Sequence, residues 1–144
     1  MKETLGFICL VLILATPTKS LSADVERAPD SLVTENEEEM ITVDIRSRMF
    51  IPRHVHLHHD RKTVLRFLNH DTELHTVAAK ELFLSAELNV SGNGFPEFGP
   101  DGLKRVIIPP DGLAEFRFTP TRTGTFSYLC DMPGHEMKAV IVIE

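Results

Sequence analysis

Apolar and polar residues alternate along this chain from Met40 to its last residue. Short runs of β-branched and aromatic residues recur with a period of two, and Gly, Pro, Asn and Asp separate them. The pattern predicts about eight strands: Ile41 to Arg46, His54 to His58, Thr63 to Leu68, His75 to Lys80, Arg105 to Ile108, Leu113 to Phe118, Thr125 to Leu129 and Lys138 to Ile143. Because such strands must fold back over a shared core, we expect an all-β, Greek-key antiparallel β-sandwich.

Residues 81–104 interrupt the alternation. The segment contains "SGNGFPEFGPDG", whose glycines and prolines favour turns. We therefore expect a large loop between strands here, carrying one short helix at most.

The N-terminal residues follow a different pattern. Lys2 precedes an uninterrupted apolar run over residues 5–15, and Pro17 with small polar residues follows it, which is typical of a secretory signal peptide. We predict that residues 1–22 form this signal and that residues 23–39 form a flexible acidic leader. The domain would then cover 40–144 and lie in the periplasm or another extracytoplasmic space, tethered only if the signal stays uncleaved.

The charge of the chain limits its partners. The formal net charge is -6, and it becomes -7 without the signal because Lys2, Glu3 and Lys19 together carry a net +1. An acidic surface disfavours nucleic acid and anionic membranes as partners. No second apolar stretch is long enough to span a bilayer, so we expect no stable membrane insertion, and we expect a monomer.

Cys130 is the only cysteine of the predicted mature chain, because Cys9 lies in the signal. An unpaired thiol outside the cytosol is oxidised or scavenged unless a metal, a partner thiol or the core occupies it. On the strand "GTFSYLC" the thiol points the same way as Tyr128, which we take as inward. The turn that follows then brings His135 and Met137 towards it.

A metal at this thiol needs a further ligand from elsewhere in the chain. The stretch "LNHDTELHTV" offers His70 and His75, and we favour His75 because a strand would fix its side chain. Two imidazoles, a thiolate and a thioether suit copper in both oxidation states, since soft sulfur favours Cu(I) while nitrogen still serves Cu(II).

Two other sets of side chains offer alternative ligands. His54, His56 and His58 share one strand face, opposite the apolar residues between them, and should face solvent. Such a face can bind metal weakly, although simple solvation is the favoured interpretation. Glu81, six residues after His75, is an alternative oxygen ligand for which we also favour solvation.

The motif N-x5-H ending at His75, the stretch "GTFSYLC" and the spacing C-x4-H-x-M resemble those of the cupredoxins, the small blue-copper proteins of the plastocyanin and azurin kind. The resemblance covers residues 40–144 and implies the cupredoxin-like sandwich. It also implies that His75, Cys130 and His135 are equatorial ligands of one copper ion and that Met137 is its axial ligand.

The same resemblance implies a function. It implies an exported, non-enzymatic carrier of single electrons whose transient redox partners dock near His135, on an apolar patch with Met132 and Pro133. The alternative is a protein that binds and delivers copper or iron. Thr76 stands where many members have asparagine, so the hydrogen bond that braces the cysteine loop must come from Thr76 or be absent.

Overall fold

A computed structural model describes residues 37–84 and 86–144. The predicted signal and residues 23–36 of the leader lie outside the described residues. The described segments contain eleven strands and one short helix, in this order: β1 Glu39–Arg46, β2 Met49–Ile51, β3 His54–Leu57, β4 Thr63–Asn69, β5 His75–Val77, α1 Lys80–Phe83, β6 Asn89–Gly92, β7 Phe95–Gly99, β8 Gly102–Ile108, β9 Leu113–Phe118, β10 Gly124–Leu129 and β11 Lys138–Ile143.

All eight predicted strands are present, and β2, β6 and β7 are additional. The strand predicted from His75 to Lys80 is shorter than expected, because β5 ends at Val77 and Lys80 begins α1. Strands β6 and β7 lie in the segment that we expected to be a loop, so that expectation is corrected. Both faces of these two strands are largely exposed, so their sequences lack the alternation of apolar and polar residues that predicts a strand. The helix α1 has four residues, whereas a helix needs about 20 apolar residues to cross a bilayer. Within the described segments, no helix is long and apolar enough to cross a membrane.

The strands build three hydrogen-bonded sheets. The first has the order β2-β1-β4-β9-β6, the second β10-β11-β3 and the third β5-β8-β7. An isolated bridge between Ala78 and Leu129 links the two smaller sheets. This bridge places the residue that follows β5 beside the last residue of β10. The predicted all-β sandwich is confirmed.

Two strand pairs differ from a purely antiparallel sandwich. Strand β1 runs parallel to β4, with Val43 opposite Phe67, and β11 runs parallel to β3, with Ile141 opposite Val55. The reason is connectivity, because the chain leaves the first sheet to form β3 beside β11 before it returns as β4. Neighbouring strands joined by such a crossover run in the same direction.

Aromatic side chains of β4, β9 and β10 pack together in the core. The ring of Phe67 lies 5.4 Å from that of Tyr128 and 5.5 Å from that of Phe116, in edge-to-face contacts. Burial raises the pKa of the Tyr128 hydroxyl, which donates a hydrogen bond to the carbonyl oxygen of Pro52. This packing fixes the end of β10, where Cys130 follows.

The histidine-rich strand β3 is an edge of its sheet. His54 and His56 are exposed and the residues that alternate with them are buried, as expected. The Nδ1 atom of His58 lies 2.8 Å from Oε1 of Glu39, and that of His56 lies 3.7 Å from Oε1 of Glu144. Within residues 37–84 and 86–144, no group of three potential ligands converges at this face.

Candidate metal centre

Three side chains from two distant parts of the sequence converge at one end of the sandwich. His75 is the first residue of β5, Cys130 follows β10, and His135 lies in the loop before β11. The Sγ atom of Cys130 lies 3.9 Å from Nδ1 of His75 and 3.4 Å from Nδ1 of His135. All three side chains are nearly enclosed, with exposures of 0% for His75, 3% for Cys130 and 7% for the side chain of His135.

Backbone hydrogen bonds bring these residues together. The amide of Ala78 donates to the carbonyl oxygen of Leu129 at 2.9 Å, and the amide of Leu129 donates back at 3.1 Å. The amide of Cys130 then donates to the carbonyl oxygen of Met137 at 3.1 Å, which closes the loop between β10 and β11. The register of two sheets, rather than the loop alone, therefore determines where the thiol lies.

A tight turn aims His135 at the thiol. The amide of His135 donates to the carbonyl oxygen of Met132 at 3.0 Å, with Pro133 and Gly134 between them. Gly134 has a φ of 79°, a left-handed value that glycine adopts without the steric cost of a side chain. Proline followed by glycine is the preferred pair for a type II turn, so the sequence itself specifies this geometry.

The distances from sulfur to nitrogen fit one small metal ion in a trigonal arrangement. With a metal–sulfur distance of about 2.3 Å, a metal–nitrogen distance of about 2.0 Å and an angle of about 120°, sulfur and nitrogen lie roughly 3.7 Å apart. The two observed separations, 3.4 and 3.9 Å, bracket this value. A donor set of two imidazoles and one thiolate is that of blue-copper sites, and it fits copper here.

A carboxylate fixes the orientation of the His75 ring. Its Nε2 atom lies 2.9 Å from Oδ2 of Asp71, which leaves Nδ1 to face the thiol. Burial raises the pKa of Asp71, but hydrogen bonds from the amides of Arg48 and Ser47 and from His75 hold it below its ordinary value. The carboxylate is thus ionised and can accept a hydrogen bond from the protonated Nε2 of His75. For His75 itself, burial lowers the pKa against the opposing effect of Asp71.

A second carboxylate stands beside His135. The Oε2 atom of Glu73 lies 3.5 Å from Nε2 of His135. Two nitrogens of the Arg48 guanidinium bind the same carboxylate, and this pairing holds the pKa of Glu73 below its usual range. The outer edge of His135 therefore faces an Arg48–Glu73 ion pair.

Of the two alternatives for the cysteine loop, a brace from Thr76 or no brace, the structure has the first. Its amide donates to Sγ of Cys130 at 3.3 Å, and its hydroxyl lies 2.7 Å from Oδ1 of Asp131 while accepting from the Asp131 amide at 2.9 Å. Arg105 also donates to Asp131, at 3.0 Å. The residue after the cysteine is therefore held from two neighbouring strands, β5 and β8.

Comparison with known proteins identifies the family. The family model described as "Cupredoxin-like domain" matches residues 5–143. This chain belongs to the cupredoxin-like family. A search of curated proteins found no sequence match.

Solved structures of amicyanin share the fold of this cupredoxin-like chain. A Cu(I) variant and an oxidised variant are each 16% identical to it, and a reduced variant is 17% identical. Each has a TM-score of 0.50, and each alignment covers 73% of this chain and 82% of amicyanin. Likeness at this identity concerns the fold, whereas the site rests on the residues described above.

The other candidate ligands of the cupredoxin-like domain fall into two groups. Met137 is 3% exposed and packs in the core. Its carbonyl oxygen accepts a hydrogen bond from the Cys130 amide, so its backbone lies beside the candidate site. His70 instead turns outward, with Nε2 at 2.9 Å from Oδ1 of Asp44. Glu81 lies on α1, and it joins no metal-binding group in the described segments.

Several residues that support the site were missed from the sequence. They are charged residues around the ligands, namely Arg48, Asp71, Glu73, Arg105 and Asp131. The "DTE" in "HDTELH" was a usable signal, since carboxylates two and four residues before a ligand histidine can reach imidazole edges. Asp71, Glu73 and His75 also converge as a second possible ligand group, but arginine and turn amides already occupy the two carboxylates.

Proposed function

We propose that this protein is an exported electron carrier that holds one copper ion at His75, Cys130 and His135, with Met137 as the axial ligand. The convergence of Sγ of Cys130 with two Nδ1 atoms is the observation that supports the proposal. When bound, copper supplies a one-electron couple between Cu(I) and Cu(II). Export rests on the signal-like residues 1–22.

The rigidity of the ligands favours electron transfer. His75 is fixed by β5 and Asp71, Cys130 by the amides and carbonyls around it, and His135 by its turn. Side chains held in this way keep similar positions in both oxidation states, so little reorganisation accompanies the change of charge. Polar groups that are already held in place do not have to reorganise when the charge of the site changes.

Burial of the ligands favours an electron carrier over a metal-delivery protein. Direct transfer of copper to an acceptor requires an incoming ligand to reach the ion, and even the least buried side chain, His135, is only 7% exposed. Electrons need no such access, because they can cross a thin protein layer. Delivery of copper or iron therefore remains the weaker alternative.

The surface above His135 is a suitable place for a transient partner. Leu74 is 43% exposed beside the ligand strand, Met132 is half-buried, and Pro133 is exposed. Arg48 and Glu73 add one charge of each sign at the edge. A small contact area with few charges suits the brief encounters of redox proteins.

The visible spectrum of the copper-loaded mature chain tests the proposal. After loading with Cu(II) and removal of excess metal, we expect an intense band from thiolate-to-copper charge transfer, which Cys130→Ser abolishes. His70→Asn is the matched control, because this neighbouring histidine faces Asp44 and should leave the band unchanged. A colourless wild-type protein would show that no blue-copper site forms.

Redox and transfer experiments separate the two functions. An electron carrier should show a reversible couple and should retain Cu(I) in the presence of a moderate chelator. Rapid loss of Cu(I) to the chelator, together with an irreversible couple, would favour delivery instead.

A further inference from the structure

The hairpin between β1 and β2 has an unfavourable backbone. Arg46 pairs with Met49, so Ser47 and Arg48 form a two-residue loop, and their φ values are 51° and 55°. Two successive left-handed residues define the type I′ turn, for which Asn-Gly is the preferred pair because other side chains meet steric conflict. Serine and arginine are therefore not the residues that hairpin closure alone would favour.

This turn binds the carboxylate that orients His75. The amide of Ser47 donates to Oδ1 of Asp71 at 2.7 Å, and the amide of Arg48 donates to Oδ2 at 2.9 Å. The same Oδ2 lies 2.9 Å from Nε2 of His75. Two amides and one imidazole thus share the carboxylate of Asp71, which connects the turn to His75.

The side chain of the turn reaches the other histidine. Arg48 binds both oxygens of Glu73, and Glu73 lies 3.5 Å from Nε2 of His135. A planar guanidinium paired with both oxygens fixes the carboxylate in direction as well as distance. Arg48 is therefore linked to His75 through its amide and Asp71, and to His135 through its guanidinium and Glu73.

We propose that the Ser47–Arg48 turn is a positioning device for the metal centre, with its amides orienting His75 through Asp71 and the Arg48 guanidinium orienting His135 through Glu73. The two branches begin at one hairpin, 23 to 25 residues before the carboxylates that they bind. The part of this proposal that concerns copper affinity rests on the proposed function, whereas the part that concerns ring orientation applies to the metal-free protein.

Two substitutions test the connection to His75 and the connection to His135 separately. Arg48→Gly keeps the amide that binds Asp71 and suits the left-handed backbone, but removes the guanidinium. Asp71→Asn keeps the Arg48–Glu73 pair and weakens the contacts to His75. In the metal-free protein, we expect Arg48→Gly to alter the imidazole NMR signals of His135 and spare those of His75, and Asp71→Asn to do the reverse.

Copper affinity provides the second measurement. Loss of a group that orients a ligand histidine typically weakens metal binding by about 10- to 100-fold. We expect Asp71→Asn to fall in that range and Arg48→Gly, which acts through one more group, to weaken Cu(II) binding by roughly 3- to 10-fold. Arg48→Lys keeps the charge but not the paired geometry, so it should restore only part of the loss.

Asp60→Gly is the matched control. Asp60 also has a left-handed φ, of 59°, but it precedes the start of β4 at Thr63, whereas the site lies near the end of that strand at Asn69. The variant should change neither imidazole signals nor copper affinity. The melting temperature of each metal-free variant shows whether any effect reflects unfolding, and that of Arg48→Gly should not fall.

The outcomes distinguish failure of this inference from failure of the proposed function. Unchanged His135 signals and unchanged affinity in Arg48→Gly would overturn the inference, as would equal disturbance of both rings by each variant. If the wild-type protein binds no copper, the proposed function fails, and the NMR comparison on the metal-free protein alone decides this inference.

Discussion

Replacing Thr76 by valine tests how the cysteine loop is braced. Thr76 is fully buried, and its hydroxyl makes two contacts with the residue after the cysteine: it donates to Oδ1 of Asp131 at 2.7 Å and accepts from the Asp131 amide at 2.9 Å. Valine has a similar shape but removes both. The amide of Asp131 would then lose its partner, while the carboxylate keeps Arg105.

The magnitude follows from these two contacts. A hydrogen bond to a charged acceptor contributes about 1.5 to 3 kcal/mol, and a buried amide left without a partner costs about 1 to 3 kcal/mol. Because Asp131 is partly exposed and retains Arg105, the lower halves of these ranges apply. We expect Thr76→Val to reduce the free energy of unfolding by about 2 to 4 kcal/mol.

The same geometry predicts a small effect on the thiolate. The Thr76 hydroxyl also lies 3.5 Å from Sγ of Cys130, but its single proton goes to the closer and charged oxygen of Asp131. The donor that remains on the sulfur is the Thr76 amide at 3.3 Å, and valine keeps that amide. The charge-transfer band of the copper-loaded variant should therefore stay close to its wild-type position.

Urea unfolding of the metal-free protein, followed by far-UV circular dichroism, measures the effect. With a slope of about 1 to 2 kcal/mol per molar urea, the predicted loss lowers the midpoint by roughly 1 to 4 M. Thr76→Ser is the control, because it keeps the hydroxyl and loses only a methyl group, at a cost of about 1 kcal/mol. If the valine variant is as stable as the serine variant, the hydroxyl does not brace the loop and the reasoning is refuted.

Three further predictions concern the axial ligand, a charged cluster and metal binding. Met137→Leu, a swap that costs a core less than about 1.5 kcal/mol, should keep the visible colour and raise the redox potential; an unchanged potential would remove Met137 from the coordination sphere. The side chain of Arg66 holds the pKa of Glu115 below its ordinary value, so the stability that Glu115 provides is present at neutral pH and lost as pH falls through the lowered pKa. Glu115→Gln should thus lower stability by about 1 kcal/mol at pH 7, allowing for solvent screening, and a difference that stays constant down to pH 3 would contradict this. Free copper at 100 times its dissociation constant should raise the free energy of unfolding by about 2.7 kcal/mol, and an equal gain in Cys130→Ser would show that copper binds elsewhere.

The longer strands that bury a face were predictable from the sequence, whereas β6 and β7, which bury neither face, and the three-residue β2 were not. Strand β4, for example, carries an almost continuous run of buried residues from Thr63 to Asn69. By contrast, β6 and β7 are held by hydrogen bonds to β9 and β8 while their side chains face solvent. Backbone pairing has no signature in side-chain hydrophobicity, so these edge strands appear only when the neighbouring strand is in place.

The candidate ligands could be named from the sequence for a related reason. Cys130, His135 and Met137 lie within one loop, where Pro133 and Gly134 specify the turn locally. The choice of His75 over His70 followed from the strand that begins at His75, since alternation in a strand fixes side-chain direction. Ligand type and local spacing are properties of the sequence alone.

Most of the charged residues that surround the candidate ligands were not predictable, because their partners are distant in the chain. Arg48 binds a carboxylate 25 residues away, and Arg105 binds a carboxylate 26 residues away. Any exposed arginine or glutamate in this acidic chain would have been an equally good guess. Only the pairing of β1 with β4 and the bridge between β5 and β10 bring these side chains together.

The sequence by itself determined that this protein is a β-sandwich and which side chains can bind a soft metal, because strand periodicity and turn chemistry act over a few residues. The tertiary structure decided which way each imidazole faces and what holds it there. The reason is that the contact between Asp71 and His75, and the one between Glu73 and His135, depend on strand register and on a hairpin from another part of the sheet.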